Sequence, residues 1–183
     1  MYGHEARRGK QHELASVGFS LVMLMVSLPA TAGSITEAAK RSAVPEFELQ
    51  DLKGKSHKLS DFKGKVTVVS FWASWCEPCK QELGFMKKFR KTYGEQGFEV
   101  LAVATDAPET RSKVRTIVKR KKWKNPILMD TEGSVSALLN PRGAMPYAMF
   151  IDRQGRLAYA HEAYASGDEV AYEEAIKALL AEK

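Results

Sequence analysis

Cysteine is nearly absent from this 183-residue chain, and the two that exist, Cys76 and Cys79, sit three positions apart. That excludes a small secreted fold held by staples, which would carry four or more spread widely. A bridge across so short a loop also removes little freedom from the unfolded chain. Histidine is scarce as well: of four, only His57 and His161 lie beyond residue 32. A zinc site needs four ligands, usually two C-x-x-C pairs or added histidines, and the chain does not offer that set. Haem attachment through C-x-x-C-H fails because residue 80 is Lys. Long apolar runs are missing too. The longest, Leu14 to Leu28, is broken by Ser16, Gly18, Ser20 and Ser27 and falls short of the roughly 18–20 residues needed to cross a bilayer. No cysteine follows it, which excludes a lipid-modified N-terminus there. There is no internal repeat and no low-complexity segment.

What precedes and follows that apolar run has an order of its own. Arg7, Arg8 and Lys10 come first, then the run, then "PATAG" with small residues at Ala30 and Ala32. This is the layout of a secretory leader. The expectation is cleavage after Ala32, with residues 1–32 as signal peptide and an uncleaved N-terminal anchor as the alternative. Residues 33–43 read as a flexible polar tether and residues 44–183 as one domain. Export matters to the cysteines, because an extracytoplasmic compartment permits disulfides while a cytosol keeps thiols reduced.

Within 44–183, short apolar pieces around Gly54 and Gly64 predict an N-terminal hairpin and a turn. "KVTVVSFW", Lys65 to Trp72, and "FEVLAVAT", Phe98 to Thr105, are β-branched or apolar runs suited to strands buried on both faces. Between them Leu83, Met86, Phe89 and Tyr93 recur at helical spacing, with Gly94 as a stop. Thr110 to Trp123 reads as a basic helix, "PILMD" as a short strand and Ser134 to Leu139 as a short helix. "YAMFID" and "RLAYAHEAY" form a closing hairpin around Gly155. A last helix over Glu169–Leu180 offers Val170, Ala171, Ile176, Leu179 and Leu180 as its apolar side. Alternating strands and helices demand parallel crossovers and the final hairpin an antiparallel edge, so the expected fold is α/β: a mixed central sheet with helices on both faces.

The cysteines fall where a buried strand gives way to a helix. The first helical turn has backbone N–H groups without intrahelical partners and carries the positive end of the macrodipole. A thiolate at Cys76 is stabilised there, and cysteines in such C-x-x-C settings have pKa values lowered from ~8.5 to ~3.5–7.5. Cys79, nearly one turn on, can reach Cys76 and complete a two-electron exchange by expelling whatever Cys76 has captured. Pro78 suits the first helical position, where its absent N–H costs nothing. The carboxylate of Glu77 opposes the Cys76 thiolate and tunes the couple toward reduction, against the pull of Lys80 and the helix end. A redox-active pair is therefore the reading of the motif. Farther on, Pro146 directly precedes the "YAMFID" strand. It is either a plain trans proline capping that strand or a cis proline turning the chain sharply, a form that costs X–Pro bonds only about 0.5–1 kcal/mol.

With "WCEPC" after a buried strand and Pro146 before "YAMFID", the chain resembles the thioredoxin superfamily, specifically the TlpA/ResA-type envelope thiol-disulfide oxidoreductases. The likeness covers about Val44 to Lys183 and is densest over "VPEFELQDLKGKSHKLSDFKGKVTVVSFWASWCEPCKQEL". It implies a thioredoxin-like fold, Cys76 as attacking thiol, Cys79 as resolving thiol, and Pro146 as a cis proline lying against the pair. It implies Trp72 in the core and Trp75 beside the substrate surface. It implies protein thiols or disulfides as substrates, apocytochrome c among them, a membrane thiol donor to recharge the pair, and no cofactor. Two positions depart from the pattern. Thioredoxin's buried acid is replaced by Ser70, which leaves Asp106, after the following strand, as the expected proton acceptor for Cys79, with a loop-capping role as the alternative. Met145 stands where valine or threonine is commoner, which makes the groove beside Pro146 more apolar and adaptable. The reading competing with an enzyme is a non-catalytic module that holds clients or assists their folding.

The net charge is +6. Eight basic residues and no acid lie between Arg111 and Lys124, around Val114, Ile117 and Val118 as the buried stripe. Nucleic acid is not expected, since no recognition motif accompanies the run. A solvated helix face is the plain explanation, and peripheral contact of residues 111–124 with an anionic membrane or acidic partner the functional one. A monomer is expected.

Overall fold

The computed structural model describes residues 35–182, so the expected leader over 1–32 lies outside the described residues. A hairpin of β1 (Glu48–Gln50) and β2 (Ser56–Lys58) comes first, followed by β3 (Val66–Trp72), α1 (Glu77–Tyr93) and β4 (Phe98–Ala104). Then come α2 (Arg111–Lys121), β5 (Ile127–Met129), α3 (Ser134–Leu139), β6 (Tyr147–Ile151), β7 (Leu157–Glu162) and α4 (Asp168–Ala181). Five strands form one sheet in the order β5-β4-β3-β6-β7. The β3–β4 and β4–β5 pairs are parallel and the β3–β6 and β6–β7 pairs antiparallel. This is the mixed sheet expected.

Every residue of β3 and β4 is buried, because each strand has a layer on both sides. Side chains alternate across a strand, so Val66, Val68 and Trp72 join a core with α1, α2 and α4, while Val69 and Phe71 join a second core. That second core is closed by α3 through Val135 and Leu139 and by the N-terminal segment through Val44, Phe47, Leu59 and Phe62. Lys122 ends α2 with φ 54°, a left-handed residue that lets Trp123 drop edge-on onto Trp72, with ring centroids 5.1 Å apart.

Two expectations need correction. The segment read as a flexible tether over 33–43 packs against the domain from Ile35 onward. Arg41 is buried and donates to the Thr36 carbonyl (2.8 Å), to Asp152 (3.1 Å) and twice to Glu182 (2.6 Å each). Its two carboxylate partners lie far along the chain, which is why a local reading took a polar stretch for a linker. In α4 the buried side is Tyr172, Ala175, Ile176 and Leu179, at i, i+3, i+4 and i+7, while Val170 is exposed. A register led by Val170 put the wrong residue inside.

Candidate active site

The site is built where β3 ends and α1 begins. Cys76 is the N-cap of α1, with Pro78 in the first turn and Glu77 opening the helix. Its sulfur accepts from the Cys79 N–H at 3.3 Å, which places Sγ among the unpaired amides of that turn. Cys76 and Cys79 are joined as a disulfide, and both are buried. Beside them Trp75 is 72% exposed, whereas Trp72, three residues earlier, is wholly buried. Trp75 also walls a cleft of about 470 Å³ with Ser74, Thr110, Lys113, Thr116 and Ile117.

The loop between strand and helix is fixed by Asp106. This buried carboxylate accepts from the Ser74 N–H (2.8 Å), the Ser74 hydroxyl (2.5 Å) and Thr110 (3.1 Å). Its oxygens are thus engaged by the loop rather than left free, which is the capping arrangement. Glu77 pairs with Lys80 at 2.6 Å, and that partner holds its carboxyl below the usual range. Lys80 also donates to the Ser74 carbonyl (3.3 Å), so the two charges flanking Cys76 largely offset each other.

Ahead of β6 the Met145–Pro146 bond is cis. Met145 packs on the same core as Cys76 and Cys79, and its sulfur accepts from the Thr105 hydroxyl at 3.9 Å. The Pro146 carbonyl is taken by the Ala163 N–H (2.9 Å), a continuation of the β6–β7 pairing.

One residue escaped the sequence reading. Glu82 lies on α1 three positions beyond Cys79 and is fully buried. One carboxyl oxygen accepts from Ser70 of β3 at 2.6 Å and the other from Tyr172 of α4 at 3.1 Å. Burial pushes its pKa up to about 7, against the pull of those two donors. The signal was present in the sequence: Cys79, Glu82, Leu83 and Met86 share one helical face, so an acid interrupts the apolar stripe. The serine at position 70 looked like a missing acid, yet it serves as a hydrogen-bond donor to an acid supplied by the neighbouring helix.

Residues 41–160 match the AhpC/TSA family. The chain is 36% identical over 122 residues to the thiol-disulfide oxidoreductase ResA of Geobacillus kaustophilus, covering 67% of this chain and 68% of that one. The chain belongs to the AhpC/TSA family. To the ResA protein of Geobacillus thermodenitrificans this family member is 34% identical over 155 residues, covering 81% and 86% of the two chains. The crystal structure described as a thiol:disulfide interchange protein DsbE from Chlorobium tepidum superposes on it with a TM-score of 0.71. That comparison has 31% identity and covers 76% of this chain and 96% of that one. With the ResA relatives, this likeness makes the chain a thioredoxin-like thiol-disulfide oxidoreductase. Among the described residues no helix is long and apolar enough to cross a membrane.

Proposed function

We propose that the chain is an exported reductant of protein disulfides, working in the cell envelope with Cys76 and Cys79 as its couple. The observation that carries this is the pair itself: two sulfurs at bonding distance where α1 begins, next in sequence to an exposed tryptophan. The secretory leader pattern supports export, and apocytochrome c, with a membrane thiol donor to restore the dithiol, is the client pathway that the ResA likeness favours.

The reaction runs in two exchanges. In the reduced protein the Cys76 thiolate attacks one sulfur of a client disulfide, forming a mixed disulfide and releasing the client's other thiolate. Cys79 then gives its proton to Glu82, attacks Cys76 Sγ and expels the remaining client thiolate. The client gains two electrons and the protein is left oxidised. Glu82 suits the proton-acceptor part better than Asp106, because it shares the helical face of Cys79 and its pKa of about 7 sits near neutrality. Trp75 and Met145 would border the bound client. The backbone of Met145 takes no hydrogen bond among the described residues, whereas the Pro146 carbonyl is occupied, so an extended client would pair with Met145.

Insulin reduction by the purified protein tests this reading. We expect catalysed precipitation with the wild type and background rates with Cys76→Ser; equal rates would overturn it. The couple's potential tests direction: a value near thioredoxin's, roughly −270 mV, fits a reductant, and one near −120 mV an oxidant.

The basic surface supports a second, peripheral contact. Lys87 of α1 donates to the Lys121 carbonyl at 3.0 Å, and Lys87, Lys88, Lys91, Lys122 and Lys124 line one cleft between the ends of α1 and α2. Its charge complements anionic lipid headgroups. Flotation with vesicles rich in phosphatidylglycerol should carry the protein at low salt and not at high salt. Equal recovery with phosphatidylcholine would remove this contact.

A further inference from the structure

The carboxylate of Glu82 is held from two directions that are far apart in the chain. Ser70 reaches it from β3 at 2.6 Å, and Tyr172 reaches it from α4, ninety residues away, at 3.1 Å. Each donor takes a different oxygen. Both donors are fully buried, and so is the acid. A phenol in such a place must find a partner, because an unsatisfied buried hydroxyl is costly. Here the partner is the one buried carboxylate on the same helical face as the resolving cysteine.

We propose that Tyr172, together with Ser70, is a positioning residue for thiol-disulfide exchange: their two hydroxyls orient the Glu82 carboxylate and keep it able to take the Cys79 proton. The inference rests on the reading of Glu82 as that acceptor. Its physical basis is that both contacts are donations, so they strengthen when the oxygens carry charge and weaken when a proton sits on them. Burial does the opposite. Without the donors, Glu82 would hold its own proton through the neutral range and could not accept another; with them, it stays poised to exchange one.

The other groups around this carboxyl come from four places. Asp168 of α4 opposes its charge, and the Tyr164 phenol, raised first by burial and by its bond to Glu169, is raised further by the charges of Asp168 and Glu82. His161 of β7 stacks edge-on against the Tyr172 ring, with centroids 5.3 Å apart, and bonds Asp168 at 3.1 Å. Cys76 and Cys79 lie on α1 itself. Neither Asp168 nor His161 hydrogen-bonds the carboxyl, and both are present in every variant below.

The test follows the resolving step in the full chain. Reduced protein in excess over 5,5′-dithiobis(2-nitrobenzoate) releases one thionitrobenzoate when Cys76 forms the mixed disulfide. It releases the second when Cys79 loses its proton to Glu82 and displaces the aryl thiolate from Cys76. The rate of the second release is measured against pH. In the wild type it should climb through a midpoint set by Glu82. Tyr172→Phe keeps the ring and removes only the donor, and the midpoint should rise by about one pH unit, making the second phase about tenfold slower on the acidic limb. The rate at alkaline pH should be unchanged. Ser70→Ala should move the midpoint the same way, which keeps the proposal testable if Tyr172→Phe does not fold. Glu82→Gln should remove this limb and leave only the later rise that any thiol shows as it loses its proton to solvent.

A Tyr172→Phe profile that superimposes on the wild type, or that falls equally at all pH values with its midpoint unmoved, would overturn the positioning role while leaving Glu82 as acceptor. A limb that keeps its wild-type midpoint in Glu82→Gln would overturn the reading of Glu82 and this inference with it.

Discussion

The two faces of the central sheet are made by the same strands and answer to different demands. On one face β3 contributes Val69 and Phe71 to a core shared with Leu101, Val103, Leu128 and the α3 residues, with the buried Thr67 hydroxyl as the strand's one polar side chain there. On the other, the same strand contributes Val66, Val68 and Trp72 to packing but also Ser70 to a buried polar chain that runs to Glu82 and Tyr172. One face is filled to hold the sheet; the other tolerates a carboxyl that burial disfavours. A group that costs stability and is fully partnered is what an active site, rather than a core, requires.

The sharpest way to break that comparison is at the cysteines. Cys79→Ala should abolish turnover and leave clients covalently attached to Cys76, seen by mass spectrometry as the protein plus client mass. No substitution on the apolar face should trap a client. Second in size, Phe71→Ala should cost about 3–5 kcal/mol in urea unfolding, as a large side chain lost from a packed core, with the midpoint of the resolving step unmoved. If that midpoint shifts, the two faces are not separable.

Glu82→Gln should act with the opposite sign. The carboxyl is raised from 4.5 to about 7 in the folded protein. Between those values the folded chain keeps a proton the unfolded chain has released, so stability falls as pH rises through this window, by about 3 kcal/mol in all. Glu82→Gln should flatten that decline. Above the window it should leave the oxidised protein more stable than the wild type by up to that amount, less what an amide loses as acceptor. Parallel unfolding curves for both proteins from acid to alkaline pH would refute it. The smallest effect is expected at Asp106→Asn, where a charged acceptor at Ser74 becomes neutral. We expect about 1–2 kcal/mol of local destabilisation, read as faster hydrogen exchange at the Ser74 amide.

The elements of the sheet were legible because their signals are local. The buried runs of β3 and β4, the periodicity of α1 and the turn at Gly155 each sit within a dozen residues. The cysteine pair was legible for the same reason, and the cis bond at Pro146 entered through family likeness, since spacing alone left it open. Long-range polar pairing was hidden. Glu82 shows in the sequence only as a break in the apolar face of α1, with its partners Ser70 and Tyr172 out of reach of any local pattern, and Arg41 reads as linker until Asp152 and Glu182 close around it. In α4 the apolar count favoured Val170 over Tyr172, because nothing in that segment says that a phenol has a partner on another helix.

The clamp at Arg41 also fixes how the domain is held. Asp152 follows β6, at the end of the central strands where Ile151 pairs with Thr67, whereas the cysteines follow the opposite end, where Phe71 pairs with Tyr147. Glu182 is drawn to the same guanidinium, so both ends of the described chain gather at one handle. One guanidinium thus ties the first and last described segments together at the end of the sheet away from the cysteines, so the closing helix is tethered without burdening the reactive end.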